Sequence, residues 1–127
     1  MKKLLTILCL VLLTSCSPPP EVPYDKLVER DDITYQVNSD QPFTGISVEY
    51  YIDTILKDQF EERVLWKRTT YKDGWLDGLT ESFHPNGQLE VRKNYKNDEL
   101  DGVMETYYKN GQLEERRNYK NGKGDGL

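Results

Sequence analysis

The second half of the chain repeats a pattern of apolar, polar and turn-forming residues every 24 positions. Residues 68–78 align with 92–102 and with 116–126, and each segment has Arg first, Tyr fourth and Asp-Gly last. Between them, Asn-Gly-Gln-Leu at 86–89 recurs at 110–113. Asn-Gly favours a tight hairpin because both residues tolerate a positive φ, and the flanking segments have the length of strands. The pattern predicts two strands per repeat and an antiparallel meander.

Equivalent residues of successive repeats fall on one face of the predicted sheet, because the period is even. We therefore expect two ladders to form a thin core: Leu65, Leu89, Leu113 and Tyr71, Tyr95, Tyr119. The turns and repeat junctions are set by Gly78, Asn86, Gly87, Gly102, Asn110, Gly111 and Gly126. A single sheet has little to cover its apolar face, so a partner or another copy of the chain is expected to cover it.

Two registers are open at the Asn-Gly loop. A three-residue loop with a left-handed glycine places five residues on one face: Leu79, Phe83, Leu89, Val91 and Tyr95. A two-residue loop instead places Glu81 opposite Arg92, and Glu105 opposite Arg116. We predict the first, because burial of a Phe or Leu contributes roughly 1.5 to 3 kcal/mol. An exposed ion pair contributes about 0 to 1 kcal/mol.

A degraded copy of the repeat precedes the regular ones. Gly45 and the pair Tyr50-Tyr51 lie 57 residues before Gly102 and the pair Tyr107-Tyr108. This distance is two periods plus about nine residues. The sequence therefore predicts an insertion in the charged stretch 57–65, as a long hairpin loop or an extra turn.

The repeat resembles the MORN family in its bacterial variant form, over residues 32–127. The resemblance rests on the Tyr, Gly and Asn-Gly-Gln-Leu positions, and on residues 30–45, which are similar to the opening repeat of that group. It implies a twisted single-layer sheet of hairpins, and bacterial members are often labelled antitoxin components. Two positions depart from the pattern: Asp98 stands where the unit has glycine, and Gly124 replaces the leucine found at Leu76 and Leu100.

The chain opens with Lys2-Lys3, an apolar run over residues 4–13 and the sequence Leu-Thr-Ser before Cys16. The run is too short for a membrane span, which needs about 20 apolar residues. Residues 13–16 resemble the lipobox of bacterial lipoproteins. The resemblance implies that Cys16 is diacylated and that the chain is cut before it, which gives a stable membrane anchor. With Ser17 next, it also implies the periplasmic face of the outer membrane in a Gram-negative host.

The next segment, residues 17–23, contains four prolines. It predicts an extended tether that stays outside any sheet, because proline fixes φ and has no amide donor. We therefore divide the chain into a signal peptide (1–15), a lipidated Cys with its tether (16–24) and one repeat domain (25–127). Within that domain we place a degenerate first repeat (32–67), two regular repeats (68–91 and 92–115) and a partial one (116–127).

Composition narrows the choice of partners and of chemistry. The formal net charge is −5, and Lys2 and Lys3 leave with the signal. Nucleic acid is excluded as a partner, because its binding needs clustered basic residues in excess. Cys9 lies in the signal and Cys16 is assigned to lipid, so no disulfide or cysteine metal site is expected.

Residues that could perform chemistry are few. His84 is the only histidine and has no second base for a triad, so we interpret it as a strand-end residue beside the turn. Asp77, Asp101 and Asp125 recur beside glycine, which leaves calcium open as an alternative to simple Asp-Gly turns. We favour the turns, and predict no cofactor, no metal and no enzymatic activity.

The predicted function is that of a non-catalytic, membrane-anchored lipoprotein whose sheet is a protein–protein interaction scaffold. The antitoxin label extends this hypothesis to neutralisation of a toxin. The candidate partner contacts are the basic ladder Arg68, Arg92, Arg116 and the turn residue Trp75. The alternative is a module that binds lipid headgroups or cell-wall material, which the acidic charge disfavours for anionic membranes.

Overall fold

The protein is built almost entirely from short strands. The computed structural model describes residues 17–51 and 63–125. In these ranges, one 3₁₀ turn covers Tyr24–Lys26. The strands are β1 (Glu21–Pro23), β2 (Leu27–Arg30), β3 (Ile33–Gln36), β4 (Gly45–Tyr50), β5 (Leu65–Lys72), β6 (Trp75–Phe83), β7 (Leu89–Lys96), β8 (Glu99–Leu100), β9 (Gly102–Tyr107), β10 (Leu113–Lys120) and β11 (Lys123–Asp125).

Nine of the described strands form one open sheet. Its order is β1-β4-β5-β6-β7-β9-β10-β11, and β8 pairs with the end of β7. All neighbours are antiparallel except β1 and β4. Strands β2 and β3 form a separate hairpin. The predicted all-β fold, a single-layer antiparallel meander of hairpin repeats, is confirmed.

Two-residue turns join the strands at one end of the hairpins. Both central residues of each turn have φ between 48° and 82°, which matches the twist of the flanking strands and favours Asn, Asp and Gly. The turns are Asp31-Asp32, Asp73-Gly74, Asn97-Asp98 and Asn121-Gly122. The three turns within the large sheet also bond to the preceding repeat: Gly74 N to Phe43 O, Asp98 N to Leu76 O, and Gly122 N to Leu100 O, at 2.8–2.9 Å.

Three-residue loops close the other end of the hairpins. His84 N donates to Gln88 O, and Gly87 N donates to His84 O, both at 2.8 Å. Gly87 has a φ of 83°, and the side chain of Asn86 accepts a hydrogen bond from Gln88 N. The predicted three-residue loop with a left-handed glycine is confirmed, and the loop at Gly111 repeats it.

A β-bulge follows each of these loops. Phe83 lies opposite Leu89, but Ser82 lies opposite Val91, so Glu90 is an extra residue on β7. The same shift occurs between β9 and β10. A bulge changes which side chains share a face, because the residues beyond it have moved by one position.

The predicted sharing of one face by Leu79, Phe83, Leu89, Val91 and Tyr95 is therefore wrong. Glu81 lies opposite Arg92, the arrangement that was expected only for a two-residue loop. Val91 and Tyr95 point to the other face from Glu81 and Phe83. The physical reason is that loop length alone does not set the register when a bulge follows the loop.

The register of β4 with β5 resembles the register of the regular repeats. Tyr50 lies opposite Leu65 after a register shift, as Phe83 lies opposite Leu89, and Gly45 lies opposite Tyr71. Tyr51 N donates to Val64 O at 2.9 Å, which extends the pairing between β4 and β5 by one residue on each strand. The structure describes residues 63–65 of the predicted insertion at 57–65, and residues 57–62 lie outside the described residues.

The proline-containing segment enters the sheet. Glu21–Pro23 pairs in parallel with β4, and Pro20 O accepts a hydrogen bond from Ile46 N at 2.9 Å. The prediction that this segment stays outside any sheet is wrong for these three residues. Proline is tolerated here because β1 is an edge strand. The sheet consequently begins before the predicted domain boundary at residue 25.

Buried apolar side chains concentrate at the N-terminal end of the sheet. Among the described residues they are Val22, Phe43 and Val48, which lie near the buried hydroxyls of Ser47 and Thr69. The Phe43 ring lies 5.7 Å from the ring of Tyr71. The predicted core along the Leu and Tyr ladders is wrong at its C-terminal end, where Leu113 is 46% exposed. The tyrosines instead lie opposite glycines, Tyr95 opposite Gly78 and Tyr119 opposite Gly102.

Candidate interaction surface

A row of alternating charges crosses five neighbouring strands of the sheet. Each residue lies directly opposite the next, so all five side chains share one face. We call this row the charge ladder; it consists of Arg68, Glu81, Arg92, Glu105 and Arg116. The face that carries it is called the ladder face.

Each arginine of the charge ladder pairs with a carboxylate. Arg92 Nε donates to Glu81 Oε1 at 3.1 Å, and Arg116 Nε donates to Glu105 Oε1 at 2.8 Å. Arg68 pairs with Glu21 of β1. The predicted basic ladder is thus present as a geometric row, but its charges are compensated.

The two signs of the charge ladder differ in exposure. The side chains of Glu81 and Glu105 are 14% and 10% exposed, whereas those of Arg92 and Arg116 are 43% and 61% exposed. The carboxylates therefore lie close to the sheet and the guanidinium groups reach further into solvent. A molecule that approaches this face meets Arg92 and Arg116 held in place by largely buried carboxylates, whereas the partner of Arg68, Glu21, is 46% exposed.

Glu105 is the most strongly held member of the charge ladder. Tyr107 Oη donates to its Oε2 at 2.7 Å, and Arg116 donates to its other oxygen. These two hydrogen bonds lower the pKa of Glu105 below its usual value of 4.5. The same hydrogen bond raises the pKa of Tyr107. Glu105 is therefore ionised at neutral pH despite its burial.

Apolar side chains flank the charge ladder on both sides. Leu79 and Val103 lie two residues before Glu81 and Glu105 on their strands, and they are 37% and 36% exposed. Phe83 and Tyr107 lie two residues after them. Alternation along a strand keeps these residues on the ladder face. The face thus combines a charged row with partly exposed apolar rims.

The other predicted contact residue lies apart from the charge ladder. Trp75 begins β6 next to the turn at Asp73-Gly74 and is 36% exposed. Its cross-strand neighbour is Lys72, whereas Arg68 lies opposite Glu81 further along the strand. The structure therefore does not bring Trp75 together with the arginines.

The repeat-defining residues connect one repeat to the next. Asn86 Nδ2 donates to Lys109 O at 2.8 Å, and Asn110 accepts from Gln112 N within its own loop. Gly78 and Gly102 have φ of 107° and 115°. Gly126 lies outside the described residues, as does Cys16.

His84 also joins two repeats. Its Nε2 lies 2.9 Å from Tyr107 O, and since a carbonyl only accepts, the proton belongs on Nε2. Its Nδ1 is 3.9 Å from Glu90. At the matching position of the first copy, Tyr51 Oη donates to Phe83 O at 2.7 Å. His84 therefore performs the same bridging role as a tyrosine.

No metal cluster is present in residues 17–51 and 63–125, where no three His, Cys, Asp or Glu residues converge. Asp101, one of the recurring aspartates, is 3.5 Å from the ammonium of Lys120.

Within the described residues, no helix is long and apolar enough to cross a membrane. An open concavity of about 520 Å³ beside His84 is lined by Tyr107, Tyr108, Lys109, Asn110 and Glu114.

Sequence reasoning paired the two glutamates with the arginines only in the register that it did not prefer. Glu81 and Glu105 are one period apart, and each precedes its arginine by 11 residues. That constant offset across a hairpin is the signal that could have identified them.

Two segments of the chain match a known repeat family. Residues 76–97 and 100–121 each match the MORN repeat variant family. The two matched segments begin at Leu76 and Leu100, so they are separated by the same 24 residues as the repeats found in the sequence. No curated protein and no solved structure shows a significant match to the chain. The chain therefore contains two segments similar to MORN repeats, a repeat type that suggests a binding scaffold.

Proposed function

We propose that this protein is a non-catalytic lipoprotein whose ladder face binds a partner protein at the cell envelope. The observation that carries the proposal is the charge ladder, in which the outward guanidinium groups of Arg92 and Arg116 are held by largely buried carboxylates and flanked by exposed apolar residues. Arginine beside partly exposed apolar side chains is the composition of protein interfaces. A repeat sheet supplies this combination over several adjacent strands.

The partner presents acidic and apolar groups to this face. The guanidinium of Arg116 is already in an ion pair, so it offers its remaining donors to a carboxylate or carbonyl of the partner. Leu79 and Val103 supply apolar area beside it. A toxin that is neutralised through this surface is the specific case suggested by the antitoxin label.

The binding test exchanges the charges of one pair. Arg116→Glu removes both the outward donor and the ion pair, whereas Glu105→Arg combined with Arg116→Glu reverses the pair. A partner co-purified from detergent-solubilised membranes is first identified, then produced in pure form. Its affinity for both variants is expected to fall roughly tenfold or more, the scale of a lost charged hydrogen bond.

The control is placed on the opposite face. Arg117 pairs with Glu115 there, at 2.6 Å, and is 57% exposed. Arg117→Glu is expected to leave the affinity unchanged. Equal loss for Arg116→Glu and Arg117→Glu would contradict the ladder face as the interface. Co-sedimentation with protein-free liposomes and no protein partner would favour the alternative lipid-binding module.

The membrane anchor is a separate part of the proposal and rests on the lipobox-like sequence before Cys16. Labelled palmitate is expected on the mature protein and absent from Cys16→Ala. A Ser15→Ala variant keeps a small residue beside the cysteine and serves as the control. Unlabelled wild-type protein would contradict the anchor without affecting the binding proposal.

A further inference from the structure

A small concavity lies on the face opposite the charge ladder. Its volume is about 90 Å³, and it is lined by Lys67, Thr80, Ser82, Val91 and Lys93. Ser82 lies opposite Lys67 of β5, and Thr80 lies opposite Lys93 of β7. Two hydroxyls of β6 thus lie between lysines from the strands on either side.

We infer that this concavity binds a single phosphate or sulfate group. The volume is well below the roughly 300 to 1,000 Å³ typical of sites for whole small molecules, so it suits one chemical group. The lining contains two lysines and two hydroxyl residues, and these cationic and neutral donors suit an anion that has several acceptor oxygens. The inference does not depend on the proposed partner, since the site lies on the other face.

The donors of this concavity are incompletely satisfied within the protein. Thr80 Oγ1 is buried and has no hydrogen-bond partner. Lys67 Nζ is 3.9 Å from Glu49 Oε1, and Ser82 Oγ donates to Glu90 at 3.4 Å, which are both long contacts. A buried hydroxyl without a hydrogen-bond partner is uncommon in folded proteins, and the oxygen of an anion bound beside it would supply an acceptor. An anion at this point competes with the two carboxylates.

The next repeat shows that the fold does not require these donors. One period later, Lys67 is replaced by Val91, Thr80 by Met104, and Lys93 by Arg117. The backbone pairings are equivalent, since Met104 lies opposite Arg117. The lysine and hydroxyl chemistry therefore belongs to one repeat of the array and not to the repeat architecture.

The test is a titration of the full chain in detergent with sodium phosphate and sodium sulfate, at constant ionic strength set by chloride. Amide shifts in NMR spectra are expected to saturate around Ser82 and Lys93. Lys93→Met is expected to weaken binding roughly tenfold, the effect of one charged hydrogen bond. Lys96→Met, on the same strand, is the matched control and is expected to bind as wild type does.

Two further variants separate loss of the site from loss of the fold. Lys67→Val with Thr80→Met installs the residues of the next repeat, so the fold is retained and binding is lost. Glu49→Gln removes a competing carboxylate and strengthens binding several-fold. Glycerol phosphate in place of inorganic phosphate distinguishes an ester from the free anion, and binding of either supports the site. Shifts that do not saturate, or that are the same in Lys93→Met and Lys96→Met, would overturn the inference.

Discussion

The two ends of the sheet are stabilised in different ways. The N-terminal block, residues 21–51 with strand β5, contains the buried apolar residues Val22, Phe43 and Val48. In the regular repeats, residues 75–121, the buried residues are the polar His84 and Glu105. One region has a small core, and the other has a sheet with two largely accessible faces.

The regular repeats compensate for this lack of a core with local and repeated contacts. Turn amides bond to the preceding repeat, tyrosines lie opposite glycines, and glutamates pair with arginines across strands. Each contact contributes little, but every repeat adds the same set. The comparison indicates that the N-terminal block acts as the stable end on which the repeats are stacked.

Truncation of equivalent residues tests this difference most strongly. Phe43, Leu76 and Leu100 each precede a junction glycine by two residues and accept a hydrogen bond from a turn of the next repeat. Phe43→Ala is expected to reduce the free energy of unfolding by about 3 kcal/mol, because it empties the core. Leu100→Ala is expected to reduce it by about 1 kcal/mol, because Leu100 is only half-buried. Urea denaturation measures both, and equal losses would contradict a core confined to the N-terminal block.

The same difference explains what the sequence could predict. The regular repeats follow local turn chemistry, so Asn86-Gly87 and Asp73-Gly74 identified the hairpins and their period. The N-terminal block depends on contacts between distant segments, such as Pro20 with Ile46. A proline-containing segment has no local signal for joining a sheet edge, and the tether prediction failed there for that reason.

Substitution of Gly78, which lies at the junction between two repeats, tests how much the regular repeats depend on glycine at that position. Gly78 has a φ of 107°, and a Cβ there would lie 3.3 Å from Thr70 Cγ2. Gly78→Ala is expected to cost about 2 kcal/mol from backbone strain and crowding. Gly124→Ala is the control, because its nearest neighbour, Tyr119 Cε1, is at an ordinary 3.7 Å. Thermal unfolding distinguishes them, and an unchanged midpoint for Gly78→Ala would mean that the junction does not need glycine.

The candidate surface was predictable only in part. The 24-residue period identified Arg68, Arg92 and Arg116 as one row. Their partners Glu81 and Glu105 were found only in the register that was not preferred. The preferred three-residue loop is present, but the bulge at Glu90 places the glutamates opposite the arginines. The bulge lies beyond the loop residues, so the turn chemistry that predicted the loop did not indicate it.

The pH dependence of the unfolding free energy tests how much the charge ladder contributes to the stability of the repeats. The pKa of Glu105 is lower in the folded protein than its usual 4.5, because Tyr107 and Arg116 donate to it. Its stabilisation is therefore complete above about pH 4.5 and is lost as the pH falls through the folded-state pKa. Glu105→Gln is expected to cost about 1.5 kcal/mol at pH 7 and less at lower pH. Glu115→Gln, on an exposed pair, is expected to change the unfolding free energy little, and a matching pH profile for the two variants would contradict a special role for Glu105.

The prediction with the smallest expected effect concerns a side-chain hydrogen bond between repeats. It tests whether His84 makes the same hydrogen bond that Tyr51 makes in the first copy. Tyr51 and His84 occupy equivalent positions, and each has a side-chain polar atom within 2.9 Å of a strand carbonyl of the next repeat. His84→Phe keeps a ring without a donor and is expected to cost about 1 kcal/mol, the value of one hydrogen bond. His84→Tyr restores a donor and is expected to lie within about 0.5 kcal/mol of the wild type. Urea denaturation at pH 8 compares the two variants, and a tyrosine variant as unstable as the phenylalanine variant would show that the bridge is not shared between repeats.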